Sequence, residues 1–418
     1  MSMKRFLGIH LIPLLLVGCT DKYNPERTFS DGAESIELQF LTATDSSIIE
    51  LPEGHYLFDR SLILDGVAQV TIRGAGIDKT VLSFLDQSEG AEGIRVVNSE
   101  NIVLEGLTVE DALGDNIKVM DTDGIVFRKV KVAWTGPIDK TNGAYGFYPV
   151  LCTNVLIEDC EAMGSSDAGI YVGQSDSVII RRNKAYQNVA GIESENSRWV
   201  KIYDNDAYDN TGGILVFDLP GLTQFGKDIE VFDNRVKDNN RDNFAPEGNI
   251  VAAVPPGTGV MILATENVHV HDNVIDQNKT IGTAIISYVL VSELTGENNS
   301  TETNAGSAQQ INRKYEEDEK YNPYSRNIRL ENNEIKNDHM FPSLSHDFGR
   351  LFVLKFGVET PDIIYDGILP PGIESRAALK NSEYRICLNE AMSTRFADMD
   401  AGNGFEAIGH DKSVFACD

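Results

Sequence analysis

Asp167-Ala-Gly-Ile170-Tyr-Val, Val189-Ala-Gly-Ile192-Glu-Ser and Thr211-Gly-Gly-Ile214-Leu-Val are three copies of one short unit. Each sets one or two small residues before an apolar alternation, and the anchors at 170, 192 and 214 keep a constant 22-residue step. A fixed period of this size is the mark of a solenoid, in which each coil buries its apolar face against the next. Stacking lengthens one body without adding cores. The 418 residues therefore predict one elongated domain, where length alone would suggest two or three.

Outward from this stretch the coil divides into strands. A first-strand motif begins at Val70, Ile102, Ile125, Val155, Val178, Val200, Ile229, Val268 and Ile328. Its apolar residues alternate, as a half-buried strand requires. Five residues on stand Asn183, Asn205, Asn234, Asn273 and Asn333. Asparagine tolerates left-handed backbone, and its amide both donates and accepts, so stacked copies predict an asparagine ladder at a tight turn. Ala162, Ala185, Ala207 and Val236 continue into an inward third strand. The second strand is anchored at Ile117, Phe147, Ile170, Ile192, Ile214, Val260 and Ile285. Insertions fall at 133–143, 217–227 and 237–257, with the longest at 292–324. All border the second strand, so they predict walls beside a groove whose floor is that strand's outward side chains. The Glu-, Asn-, Ser- and Thr-rich segment 292–324 reads as a flexible excursion.

The runs Ile48-Ile-Glu-Leu-Pro-Glu-Gly-His-Tyr56 and Val70-Thr-Ile-Arg-Gly-Ala-Gly76 resemble the start of pectin-lyase-like right-handed β-helices. The repeat over 48–335 is similar to the parallel β-helix repeats of the carbohydrate-binding and sugar-hydrolase type. Ser166-Asp-Ala-Gly-Ile-Tyr-Val-Gly-Gln-Ser175 and Gly212-Gly-Ile-Leu-Val-Phe-Asp-Leu-Pro-Gly221 resemble a family of exported bacterial β-helix proteins of unassigned function, often encoded beside a c-type cytochrome. The expected fold is all-β, a single-stranded right-handed parallel β-helix over 32–340. An amphipathic helix within 32–44 caps its first end, and an irregular cap over 341–418 closes the other.

Residues 1–18 read as a signal peptide, with Lys4 and Arg5 before a short apolar run. Leu16-Val-Gly-Cys19 resembles the bacterial lipoprotein box, which implies lipidation of Cys19 and a tether over 19–31. Thr20 after the cysteine implies the outer membrane by the same resemblance. The expected location is the cell envelope, with the membrane engaged only through the N-terminal lipid. The formal charge of −28 disfavours nucleic acid and anionic membrane surfaces. It also disfavours acidic glycans unless Ca²⁺ bridges. Cys152, Cys160, Cys387 and Cys417 remain for an oxidising compartment. Cys387 with Cys417 would clasp the C-terminal end, whereas Cys152 and Cys160 could equally be buried free thiols.

Chemistry is sought on the outward second-strand positions, Lys118, Tyr148, Tyr171 and Glu193 in one column, with Glu195 two residues beyond Glu193. On one strand Glu193 and Glu195 have Cα atoms about 6.6 Å apart, a spacing open to acid–base hydrolysis or to part of a Ca²⁺ site. Tyr148 and Tyr171 could stack on a sugar, and Lys118 or a tyrosine could be the base of a lyase. The walls would bring Trp134, Asp139, Asp218, Arg241 and Phe244. A solvated sheet face would carry the same residues with no chemistry. The paired-aspartate and Gly-His-Gly pattern of polygalacturonases, the Asp-Pro-His pattern of alginate epimerases and Gly-Gly-x-Gly-x-Asp repeats are absent. His269 and His271 form a His-x-His on an outward strand face, but no third ligand is evident and no metal is assigned. The expectation is a polysaccharide-binding or polysaccharide-processing protein, a lyase or glycoside hydrolase if an enzyme. The alternative is a non-catalytic scaffold docking a partner such as the cytochrome.

Overall fold

The computed structural model describes residues 27–294, 309, 311–312, 314–358 and 360–417. The signal peptide, Cys19 and most of the 19–31 tether lie outside the described residues. Strands stack in parallel into two sheets. One sheet of 11 strands contains the second strand of every coil, including Ile117–Met120, Tyr145–Val150, Ala168–Gly173, Ala190–Glu195, Gly212–Phe217 and Thr258–Leu263. The other, of 19 strands, carries the first and third strands. The registers follow the repeat: Val178 lies between Val155 and Val200, and Val268 between Ile229 and Ile328. Ile192 lies between Ile170 and Ile214. One anchor differs. Val260 stacks on Thr283, while Ile285 stacks on Ile262. Thr283 is polar yet almost wholly buried, so an apolar reading slips by two residues without leaving the inward face.

The ladder forms as expected. Asn183 Nδ2 donates to Asn205 Oδ1 at 3.0 Å, and the chain continues through Asn234 and Asn273 to Asn333 at 2.9 Å per step. Glu390 accepts from the last amide at 2.7 Å. The left-handed residues are the ones just before each asparagine, Arg182, Asp204, Asp233, Asp272 and Asn332. The asparagines are therefore selected for their amides and not for their backbone. A second ladder, Asn188–Asn210–Asn239–Asn278, closes the next turn with steps of 2.9–3.1 Å.

Helix α1 (Ala33–Leu41) covers the first end and buries Ile36 and Phe40. The β-helix continues beyond residue 340, where an irregular cap is expected. Ile386–Asn389 pairs with Arg326–Glu331, and Ile363–Tyr365 and Phe396–Asp398 extend the second-strand sheet. Intervening irregular segments, including Pro370 and Pro371, break the spacing that a repeat search follows. Cys387, on an added strand, is bonded to Cys417. Cys152 and Cys160 are buried free thiols, and burial pushes both up to about 12.

The outer face of the second-strand sheet is not open floor. Leu215, Phe217, Met261, Leu263 and Ile286 belong to a second apolar layer. Helix α2 (Tyr288–Leu294), the turn Ile250–Ala253 and helix α3 (Asp347–Phe356) contribute Leu290, Ile250 and Phe352 to it. The described end of the long insertion is packed down as well: Tyr321 is buried and its hydroxyl donates to the Asp218 carbonyl at 2.7 Å.

Candidate active site

Alternation places Tyr171 and Glu193 as register partners, with Gly173 beside Glu195. The Tyr171 hydroxyl donates to Glu195 Oε1 at 2.8 Å. Gly173 permits this bond, because a Cβ there would collide with the Tyr171 ring and hydroxyl. These residues are not the exposed floor that the insertion pattern suggests. Tyr171 and Glu195 are 0% exposed and Glu193 is 1%. Burial raises the pKa values of Tyr288 and Asp218, and the Glu195 charge adds to both.

Three further members escape the sequence reading. Tyr145 packs its ring 4.4 Å from Tyr171 and 4.5 Å from Tyr148, making a tyrosine trio. Asp167 is buried on the same side, and its charge acts on Tyr145. Asp115 accepts from the Tyr145 backbone N–H at 3.3 Å. Strict alternation misses Tyr145 because each strand carries two inward residues in a row after its first residue. Gly169 faces Ala162 and the Asn188 amide, and Ile170 enters the inner core, so the residue before them, Ala168 or Tyr145, turns outward. The recurring glycine after that position is the signal that could have revealed it.

Lys118 sits at the half-exposed end of the strip. Its ammonium lies 3.7 Å from Glu92, 4.0 Å from Asp115 and 4.9 Å from the Tyr148 ring centre. It sits between two carboxylates and over a tyrosine face. Trp134 is removed from the site: it is buried and its indole N–H donates to the Ala112 carbonyl at 2.9 Å, a structural bond. Asp218 is also buried, and its carboxylate accepts from the Gly226 N–H at 2.9 Å, which fixes its own loop. Asp139 bonds its neighbour Thr141, Arg241 pairs with Asp209, and Phe244 packs on the outer apolar layer.

The electrostatics divide the carboxyls. Burial, then the charges of Asp167 and Glu195, push Glu193 well above the usual carboxylate range. Burial, then Glu195 and Asp115, does the same to Asp167. Burial raises Glu195 only to about 7, because the Tyr171 hydroxyl favours its anion. Glu193 and Asp167 are thus the more proton-retaining groups and Glu195 the one its tyrosine helps to ionise, the kind of division that acid–base catalysis uses. Burial also raises Tyr145 and Tyr171, which keeps them as donors and not as bases. Glu193 Oε2 and Glu195 Oε2 are buried with no hydrogen-bond partner among the described residues, while the Tyr145 hydroxyl favours the Asp167 anion. Within the strip no three carboxylate donors approach within 4.8 Å of one another.

A family model described as "Right handed beta helix region" matches residues 60–223. No curated protein matches the chain. Among solved structures, the Azotobacter vinelandii mannuronan C-5 epimerase AlgE4 A-module is similar at 15% identity and a TM-score of 0.47, covering 86% of this chain and 89% of that one. The N-terminal fragment of bacteriophage Phi29 gene product 12 shares 14% identity at a TM-score of 0.43, over 88% and 67%. The periplasmic alginate epimerase AlgG shares 14% at a TM-score of 0.36, over 69% and 72%. The repeat, the parallel registers and the matched segment agree on one description: the chain is a right-handed parallel β-helix protein.

Proposed function

We propose that this protein binds and processes a polysaccharide at the tyrosine–carboxyl strip on the outer face of the second-strand sheet. One observation carries the reading: Asp167, Glu193 and Glu195 bury three carboxyl groups on one side, Glu193 Oε2 and Glu195 Oε2 without partners, beside a tyrosine that donates to Glu195. A buried polar atom left unsatisfied costs about 1–3 kcal/mol, so such a cluster weakens the fold and points to a site. Protonated Glu193 is the general acid toward a glycosidic oxygen. Glu195 is the base or nucleophile, oriented by Tyr171. Tyr145 and Tyr148 supply faces for a sugar ring. A uronate carboxylate would meet like charge at the ionised form of Glu195. Neutral or amino-sugar glycans are the expected class.

The strip is half-exposed at Arg95 and Lys118 and closed at Glu195. Substrate enters from the Lys118 end, and the cover at Tyr288 must yield. The test is turnover and retention of neutral, amino and uronic glycans by the wild type, Glu193→Gln and Glu195→Gln, each checked for intact folding. Loss of turnover in both variants supports the reading. Unchanged turnover in a chain that does process a glycan would place the site elsewhere.

The working location is the bacterial envelope, with Cys19 lipidated. Cys19→Ala should move the protein from the detergent phase to the aqueous phase on detergent partitioning. The scaffold alternative predicts a haem protein co-purifying from native envelopes. No feature of the described residues favours it.

A further inference from the structure

The first-strand face of the other sheet carries a second cluster. Outward positions of neighbouring coils form a ladder of ion pairs from Arg73 through Glu105, Arg128 and Glu158 to Arg181. Beyond Tyr203 and Phe232 this ladder changes character. His269 and His271, two residues apart on one strand, project to the same side, with ring centres 4.1 Å apart. Glu230 is the register partner of His269 on the preceding coil, and Glu331 is that of His271 on the following one. Glu230, His269 and His271 each offer a donor atom, and these atoms lie within 4.8 Å of one another. No other group of three His, Cys, Asp or Glu donors among the described residues does so. Glu230 is the ligand that the sequence hides. It follows its anchor Ile229 as His269 follows Val268, so the strand alignment contains it.

We propose that Glu230, His269 and His271 form a Zn²⁺-class metal site, a three-ligand set with the fourth position left open. The geometry carries this in three ways. His271 Nε2 lies 3.2 Å from Glu230 Oε1, and His269 Nε2 lies 3.3 Å from Glu331 Oε2. Ligands held at about 2.0–2.1 Å in a tetrahedron stand about 3.4 Å apart, so the His271–Glu230 pair already has the spacing of a tetrahedral edge, while Glu331, paired with Arg329 at 2.7 Å, flanks His269. The outer support is also present. His271 Nδ1 lies 2.7 Å from Asp272 Oδ2, which fixes the tautomer that leaves Nε2 free for a metal. Phe232 stacks on the His271 ring at 5.1 Å and 2°, holding its plane. Finally, Lys201 binds the other oxygen of Glu230, Oε2, at 3.0 Å and leaves Oε1 toward the histidines. Two imidazoles with carboxylates select Zn²⁺ and its late first-row neighbours over Ca²⁺ or Mg²⁺, which take oxygen ligands.

The test is Zn²⁺ titration of tag-free protein by calorimetry, together with Co²⁺ absorption in the visible. The wild type should bind one Zn²⁺ per chain and give tetrahedral Co²⁺ bands. Alanine at His269 or His271 should weaken binding at least 100-fold. Asp272→Asn should weaken it by about 10–100-fold, and His346→Ala, far along the chain, should leave it intact. Circular dichroism confirms that each variant is folded. Absence of a stoichiometric site in the wild type overturns the proposal. So does a site that survives the His269→Ala/His271→Ala double variant.

Discussion

Replacing Glu195 by Gln should make the protein less sensitive to alkaline pH. The Glu195 carboxyl is fully buried and its pKa rises from the ordinary 4.5 to about 7. The unfolded chain loses this proton near pH 4.5, while the folded chain keeps it until about pH 7. Between those values the folded state binds the extra proton, so stability falls as pH rises. The stabilising contribution is whole below pH 4.5 and gone above about pH 7. The interval spans about 2.5 pH units, and at 1.36 kcal/mol per unit the loss is about 3 kcal/mol. Glutamine keeps a carbonyl that accepts the Tyr171 hydroxyl and cannot ionise. Urea unfolding of the wild type and Glu195→Gln at pH 4.5, 6, 7 and 8 reads the ionisation of Glu195 together with its charge on Glu193 and Asp167. The difference should grow in favour of the variant by about 3 kcal/mol across the series, then level off. Parallel pH profiles for the two proteins would refute the reasoning and place an ordinary, solvated carboxylate at 195.

Asn205→Ala removes a buried amide that donates to the Ile180 carbonyl and to Asn234, and whose oxygen accepts from Asn183. The orphaned groups predict a loss of about 2–4 kcal/mol, read as a lower urea midpoint, while Asn→Ala at exposed Asn381 should change little. Gly173→Ala should displace the Tyr171 ring and break its bond to Glu195. The variant should lose at least ten-fold in glycan turnover with its circular dichroism unchanged. Reducing Cys387–Cys417 opens a 30-residue loop, which by chain entropy destabilises the C-terminal coils by about 3–4 kcal/mol. Limited proteolysis should then cut first near Ile386–Asn389.

The fold was legible because stacking constrains every coil equally. A 22-residue step and five asparagines in register leave few other arrangements. The second ladder was equally legible, since Asn188, Asn210, Asn239 and Asn278 each follow a first-ladder asparagine by five residues. Facing was legible too, because side chains alternate along a strand, and Tyr171, Glu193 and Glu195 do share the outer face. Their burial was not. It depends on an outer apolar layer that includes groups far off in sequence, such as Tyr288 and Tyr321, whose positions follow from tertiary packing and not from the repeat. Tyr145 was hidden by the paired inward residues just after the first residue of each strand. Glu230 needed the geometry of two coils separated by an insertion before it could be joined to His269 and His271.

The most direct test of the central claim is the crystal structure of Glu195→Gln soaked with a neutral or amino-sugar oligosaccharide that the wild type turns over. Sugar density against Tyr145 and Tyr148, with a glycosidic oxygen in hydrogen-bond reach of Glu193 and the Tyr288 side moved outward, is the predicted result. Sugar bound elsewhere, with the strip still closed over Glu193 and residue 195, would contradict it.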